Sequence, residues 1–468
     1  MGGSSLAPEV LRSVFGQQPG YPRLQILEST VPRLVTRALA GLDLDATVFI
    51  VASKFGDTIE VLSLFQCVYG MLSERHGSAV GRYFVAITDA GTSLAEYAGR
   101  YNFRELFLNA ADIGGRYSAL SFFGVVPAAL MGLDGQRLLQ RAAHIAMACR
   151  TTSDLAQNPG ASLAAILAAH YGDGRSKLTL VTSPQLAAVG LWIEQLLAES
   201  TGKHGKGMLP IASEPWCAAG AYGADRVFVY LRLVGVDNGA ADRHAAALEV
   251  AGQPVVRLEL ADVYDIAAQF FVWQFAVALL CAALGVNAFD QPNVLETKLL
   301  TAKSLKLLAA GGKFASLGDS SSLGALLGER NGIDCLVVLA YLDEFEVGEA
   351  LAALRLAVLR GSGLASTLGY GPRYLHSTGQ FHKGGPDTGL YLMLIDGRSD
   401  DVAIPDAGYG FRSLMQAQAA ADYDALLARG RRVGRVVLNA DSYAQLTGLL
   451  AECSGLLRTQ AVVPRIHC

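Results

Sequence analysis

A chain of 468 residues, half of them hydrophobic, is too long for one ordinary domain, and roughly 150 residues per domain implies two or three. Its 42 acidic and 38 basic residues are mixed along the sequence to a net charge of −4, so it has neither the basic stripe of a nucleic-acid binder nor an acidic solvating tail. Seven cysteines, an odd number without a CxxC pair, read as thiols of a reducing cytoplasm and not as disulfides or a zinc site.

The opening residues, MGGSSLAPEV, lack the charged and apolar regions of a signal peptide. Gly2-Gly3-Ser4-Ser5 places small residues and then hydroxyls ahead of a helix, a candidate anion corner. The β-type run TVFIV (47–51) leads into Ser53-Lys54-Phe55-Gly56-Asp57-Thr58, and helical sequence resumes at Ile59. A strand feeding such a turn points backbone N–H groups at one spot, and the partial positive charge of a helix start favours phosphate there. Ser53 and Thr58 add hydroxyls and Lys54 can add charge, although an ordinary βα turn with a Ser/Thr cap accounts for the same residues. After YFVAI (83–87) comes Ile113-Gly114-Gly115-Arg116-Tyr117-Ser118. A guanidinium in such apolar surroundings needs an anionic partner, either a protein carboxylate or a substrate. The polar stretch RTTSDLAQNPG closes a first unit, residues 1–155.

The second unit, 156–311, carries LTLV (178–181), VFVYLRL (227–233) and PVVRLEL (254–260). The helix after LTLV is bounded by Ser183 as cap, Pro184 at the first position and Gly202 as stop. Glu199 falls in its last turn, where the negative end of the helix dipole raises a carboxylate's pKa toward that of a general base. Residues 266–286 hold no formal charge and are long enough to cross a bilayer. Gln269 and Gln274 within the run, the lack of flanking Lys or Arg, and Asp262 and Asp265 at its start make it a buried helix, with no membrane partner. A polar loop with Gln291 follows, and Lys298 lies one to two turns into the next helix.

The glycine-rich segment GGKFASLGDSSSLG (311–324) links to a third unit, 312–468, with CLVVLAYL (335–342), LYLMLI (390–395) and RVVL (435–438). Tyr374–Gly385 gathers two histidines, a lysine and glycines, a set suited to acid–base work or sugar binding more than to a metal. The third unit weakly echoes the second, each having a strand after an aspartate (Asp225, Asp334), then a helix, a strand and a helix. Apolar runs alternating with helical stretches predict an α/β fold of doubly wound parallel sheets with flanking helices.

In this order, GGSSLAPE, ASKxGxTIE, GGRYSALS, AESTGK and FDQPNVLETK, spread over most of residues 1–300, resemble the phosphoglucose isomerases. YLHSTGQFHKGGPDTG and RSLMQAQAAADY are similar to the isomerase half of transaldolase/phosphoglucose isomerase fusions, whose transaldolase domain would lie upstream. The resemblance implies SIS-type (sugar-isomerase) domains. It also implies an aldose–ketose isomerase acting on glucose 6-phosphate and fructose 6-phosphate through a cis-enediol, with no cofactor or metal. In that reading Gly3, Ser4, Ser53, Lys54, Thr58 and Gln291 hold the sugar phosphate, Glu199 moves the proton and Arg116 stabilises the enediolate. Lys298 and a histidine open the ring. The histidine is His376, which matches an L-H-S-x-G-Q motif, or His244, which fits the family's chain order. In the family it comes from a partner subunit, which implies a homodimer.

Two departures stand out. The family's turn usually reads S-K-[ST]-x-T-T, whereas this chain has Phe55 and Asp57, losing a hydroxyl and gaining a carboxylate. A carboxylate facing the phosphate would weaken binding, and one pointing outward at the helix start would be harmless. The family also runs a strand into its first glycine corner, and this chain starts at Met1-Gly2-Gly3, which reads either as a mis-assigned start or as a fragment of a longer fusion, and the chain as given is expected to be poorly stable or weakly active. Two alternatives are a non-catalytic sugar-phosphate-binding module of the same fold and an isomerase for another 6-phosphosugar such as mannose 6-phosphate.

Overall fold

Strands covered on both faces by helices have no polar side to present, and the central strands obey this to the end. In the computed structural model, which describes residues 1–151, 154–310, 323–439, 441, 444–449 and 451, eleven strands form three sheets, every pairing parallel. The first sheet has the order β1-β2-β3, with β1 Phe49–Ala52, β2 Phe84–Asp89 and β3 Glu105–Asn109. The second has β4 Lys177–Thr182, β5 Leu209–Ile211, β6 Arg226–Leu233 and β7 Val255–Leu260 in the order β5-β4-β6-β7. The third has β8 Cys335–Tyr341, β9 Ala365–Tyr370, β10 Gly389–Asp396 and β11 Arg432–Leu438 in the order β11-β10-β8-β9. Every residue of β2, β8 and β10 is buried, as doubly covered parallel strands require. The predicted fold class stands, and the weak echo between the later units becomes a shared topology.

The apolar helix Ile266–Leu284 packs on the helices Pro159–Gly172, Gly135–Thr151 and Ala187–Thr201. Phe270, Trp273, Ala276, Val277, Leu280 and Cys281 are fully enclosed. By length and composition the helix could cross a membrane, but half of its most apolar stretch is buried in the protein. Asp262 and Asp265 form a reciprocal cap on the turn that starts it, which is why two acids precede so apolar a run. The linker segment 311–322 lies outside the described residues.

Helices connect the units. The Gly3–Phe15 helix shares its core with the second sheet, burying Leu6, Val10 and Leu11 beside Trp192 and Leu196. The first sheet takes Phe411, Leu414 and Ala417 from the late helix Phe411–Ala428 into its own core. Between the second and third sheets, Arg226, fully buried, donates to Glu214, and Glu214 Oε1 accepts the Ser366 N–H of β9 at 2.8 Å. Arg355 adds bonds to Ser213 O at 2.9 Å and Ser366 O at 2.8 Å. Removing one member of a buried pair leaves an uncompensated charge, at a cost of about 3–5 kcal/mol. Glu214→Ala is therefore expected to lower the urea midpoint of unfolding sharply, and an unchanged midpoint would show that the seam does not hold the two sheets.

Candidate active site

The Ser53–Thr58 turn forms where β1 runs out beside β2. Ser53 N–H donates to Ile87 O at 3.0 Å and Asp89 N–H to Lys54 O at 3.2 Å, so the chain tracks β2 briefly and then turns. Gly56 has a φ of +69°, and a Cβ there would sit 2.6 Å from Thr92 Cβ, so both conformation and space demand glycine. The Ser53 hydroxyl lies 2.9 Å from the Thr58 hydroxyl and accepts the Gly56 N–H at 3.1 Å. Thr58 precedes the helix Ile59–His76, yet its side chain serves the turn and does not cap the helix. Lys54 is not free to act as a loose charge for an anion. Its ammonium pairs with Asp89 Oδ2 at 2.5 Å and donates to Ala111 O at 3.0 Å, tying the turn to the ends of β2 and β3. Asp57 points outward, its side chain 64% exposed, and lies 3.8 Å from Lys298 Nζ on the helix Val294–Ala309. Phe55 is also exposed, with the Lys54 ammonium 5.7 Å from its ring centre.

The first glycine corner closes on the Arg116 loop. A Cβ on Gly3 would lie 1.9 Å from Gly115 O, and one on Gly2 2.6 Å from His376 O. Only backbone fits between these segments. Ser4 donates its hydroxyl to Ala52 O at 3.2 Å, which anchors the corner to the end of β1.

Arg116, 4% exposed, spends its donors on neutral acceptors. Its Nε–H goes to Ser200 Oγ at 2.9 Å, Nη1 to Gln291 Oε1 at 3.2 Å, and Nη2 to Ala288 O at 2.5 Å and Asp290 O at 2.9 Å. Glu199 Oε2 lies further out, 3.6 Å from Nη1. Lys203, fully buried, pairs with Asp290 at 2.8 Å and donates to Asn287 O, so the loop that supplies these carbonyls is pinned to the end of the Glu199 helix.

Glu199 is 5% exposed and its pKa is pushed up to about 7. Burial is the main cause, and Arg116, His376 and Gln195 pull the other way without overcoming it. The helix dipole invoked from sequence is not needed. Ser183 likewise does not cap the helix, because its hydroxyl bonds Asn238 Oδ1 at 2.5 Å and accepts Leu233 N–H at 2.8 Å.

His376 enters from the third unit. Its Nε2 lies 2.8 Å from Glu60 Oε1, and its carbonyl accepts Gln195 Nε2 at 2.7 Å. Gln195 Nε2 also reaches Glu199 Oε2 at 3.3 Å, joining the two groups through one amide. Gln195 Oε1 is a buried acceptor with no partner among the described residues. Burial pushes the Glu60 carboxyl up, but His376 more than reverses this, and its pKa falls to about 2. Gln418 Nε2 donates to the same Glu60 oxygen at 2.6 Å and is fixed by Thr30 at 2.9 Å. His376 thus meets Glu60 within the same chain.

Of the residues singled out from sequence, Gly3, Ser4, Ser53, Thr58, Arg116, Glu199, Gln291 and His376 join one continuous set of contacts. Lys298 stands at its rim with Asp57. His244 lies elsewhere, stacked on Trp216 with ring centres 4.8 Å apart and facing the Tyr222 hydroxyl at 3.4 Å, where burial lowers its pKa. His382 is enclosed between Tyr374 and Tyr391, its pKa far down through burial. The sequence reading missed Glu60, Gln195, Ser200 and Gln418. One signal was available, since Gln195 and Glu199 stand one helical turn apart in an otherwise apolar helix.

A profile of the family described as phosphoglucose isomerase matches residues 1–209. A probable glucose-6-phosphate isomerase of Methanococcus maripaludis is 26% identical over 335 residues, covering 63% of this chain and 74% of the relative. A glucose-6-phosphate isomerase of Synechococcus elongatus is 27% identical over 399 residues, 76% of this chain and 75% of the relative. Among solved structures, a hypothetical protein of Thermus thermophilus is 25% identical with a TM-score of 0.58, covering 65% of this chain and 82% of that one. A glucose-6-phosphate isomerase of Chlamydia trachomatis shares the fold at 19% identity, with a TM-score of 0.55 and coverage of 66% and 69%.

The Glu60–His376 pair has a pH signature. A carboxylate depressed from 4.5 to about 2 adds stability above its unfolded pKa and loses it as pH falls through the folded value. At about 1.4 kcal/mol per unit the full contribution is about 3 kcal/mol. Denaturant curves of the native chain and Glu60→Gln should differ by about that much at pH 5 and converge toward pH 2. A gap independent of pH would mean that the pair is not ionised.

Proposed function

The chain belongs to the phosphoglucose isomerase family, and from that premise we propose that it interconverts glucose 6-phosphate and fructose 6-phosphate in the cytoplasm. The observation that carries the proposal is Glu199, a buried carboxylate whose pKa of about 7 lets it take and return a proton near neutrality. Moving a proton between neighbouring carbons asks for a base, a stabiliser of the developing negative charge and accurate positioning.

In the proposed reaction Glu199 removes the proton from C2 of the open-chain aldose and delivers it to C1, while the carbonyl oxygen and the neighbouring hydroxyl exchange their proton through a cis-enediol. Arg116 lies beside the carboxylate with its donors largely satisfied by neutral groups, so its charge is free to stabilise the enediolate without quenching the base. His376, oriented by Glu60, transfers the proton between the ring oxygen and the anomeric hydroxyl when the ring opens, and Lys298 assists from the rim. The amides and hydroxyls of the Ser53–Thr58 turn take the phosphate, next to the corner of Gly3 and Ser4. Gln291 positions Arg116, and Gln195 Oε1 is available to a sugar hydroxyl.

The test is a coupled assay of both directions together with exchange of solvent deuterium into C2 of the substrate. Glu199→Gln should lower kcat by about 10²–10⁴-fold, as loss of a positioned base does, and abolish exchange. In the native chain activity should rise with pH through about 7 as Glu199 ionises. Retained exchange in Glu199→Gln would overturn its role as the base.

A further inference from the structure

The strand rows of the second and third sheets, set side by side, read β7-β6-β4-β5 and β9-β8-β10-β11. Each sheet has its first strand second from the edge nearest the other, and the second strand of each, β5 or β9, at the facing edge. The contacts between the sheets fall at these edges. Glu214, just past β5, accepts from Ser366 of β9, and Lys177 at the start of β4 reaches Ile333 O and Asp334 O at the start of β8, at 2.9 and 3.0 Å. Leu209 and Ile211 of β5 share one core with Val337, Leu339 and Ala365.

The connections follow the same relation. The helix after β4 ends at Gly202 against the β9–β10 connection, where a Cβ on Gly202 would lie 2.5 Å from Phe381 Cα and Gln380 Nε2 donates to Gly202 O at 2.9 Å. The helix after β8 ends at Gly363 against the β5–β6 connection, with a Cβ there 3.3 Å from Ala221 O. Such an arrangement is what a two-fold pair of identical subunits builds at an isologous interface. Here one chain builds it from two unequal halves.

We propose that the second and third units are an internal pseudo-dimer, in which the third unit occupies the place of a second copy and donates His376 to a single active site per chain. The inference rests on the reading of Glu199 and His376 as parts of one catalytic set. The two equivalent corners differ in their chemistry. The Glu199 corner meets the connection that holds His376, whereas the other helix ends in Leu359-Arg360-Gly361-Ser362 and meets residues 212–225, which include no histidine. Three residues before the closing glycine, where Glu199 stands in the first helix, the second has the exposed Arg360, and the neighbouring Leu359 packs with Tyr222, Phe228 and Leu248. The face that a second copy would use is thus filled by the chain itself, and the Glu60–His376 contact is made within it.

Two measurements decide this. Glu199→Gln and His376→Ala, each inactive, are co-expressed and purified together. A site confined to one chain gives no activity above that of the separate variants, whereas a site shared between copies regains activity through mixed assemblies and overturns the proposal. A second measurement does not depend on turnover. Light scattering fixes the concentration at which the native chain is single, and histidine ring NMR is recorded there. A His376 signal that moves on Glu60→Gln in the single chain supports the internal site, and a response seen only in a larger assembly overturns it. Absence of isomerase activity in the native chain would refute the functional reading and leave the NMR result to decide the architecture.

Discussion

The site depends on how Arg116 is satisfied. A buried guanidinium in direct bidentate contact with a carboxylate would hold that carboxylate ionised far below neutrality. Here the fork is turned toward carbonyls and a hydroxyl, Ala288 O, Asp290 O and Ser200 Oγ, and Glu199 is left at 3.6 Å. Attraction at that distance offsets part of the burial penalty and not all of it, so the carboxyl titrates near 7. The loop carrying those carbonyls must then be rigid, which is the task of Lys203. Its buried ammonium fixes Asp290 and Asn287 O from the end of the same helix that carries Glu199.

Around this centre the packing is between backbones. Gly3 meets Gly115, Gly2 meets His376 O, and Gly202 meets Phe381, each at a distance that excludes a Cβ. Three segments far apart in sequence can converge on one point only if none brings a side chain there. Glu60 and His376 then supply the electrostatic attraction across the junction, and Gln195 and Gln418 orient them from either side. The two carboxyls of the site are driven in opposite directions by their partners, Glu60 by an adjacent imidazole and Glu199 by burial beside a guanidinium already occupied.

Much of this was legible in the sequence, for physical reasons that also explain what was not. Central strands such as CLVVLAYL must be apolar on both faces and therefore stand out. The strands that escaped notice, β3, β5 and β9, lie at sheet edges and read ELFLN, LPI and ASTLGY, without the long apolar run that marks a central strand. Glycines and charged residues inside apolar surroundings marked the Ser53, Arg116 and Glu199 segments, since such residues are costly unless they serve a purpose. Pairings between distant segments left no such mark. Nothing local says that Lys54 turns to Asp89, that Ser183 turns to Asn238, or that His376 and not His244 meets Glu60. These are decided by how the sheets face one another.

The carboxylate in the Ser53–Thr58 turn follows the same logic of paired charges. Asp57 would oppose a bound dianion if it faced the turn, by ~4 kcal/mol at an effective dielectric of 20 and a separation of 4 Å. It is instead largely exposed, where screening brings such an interaction nearer ~1 kcal/mol, and Lys298 stands 3.8 Å away as a counter-charge. Lys54, the other cation of the turn, is held by Asp89. Each lysine thus carries its own carboxylate, and the net charge of the four groups is zero. The field left for an anion comes from backbone amides and the Ser53 and Thr58 hydroxyls, groups whose orientation is set by β1, β2 and the glycine at 56. An exposed Asp57 with Lys298 as its counter-charge opposes an anion less than a carboxylate buried against the turn would.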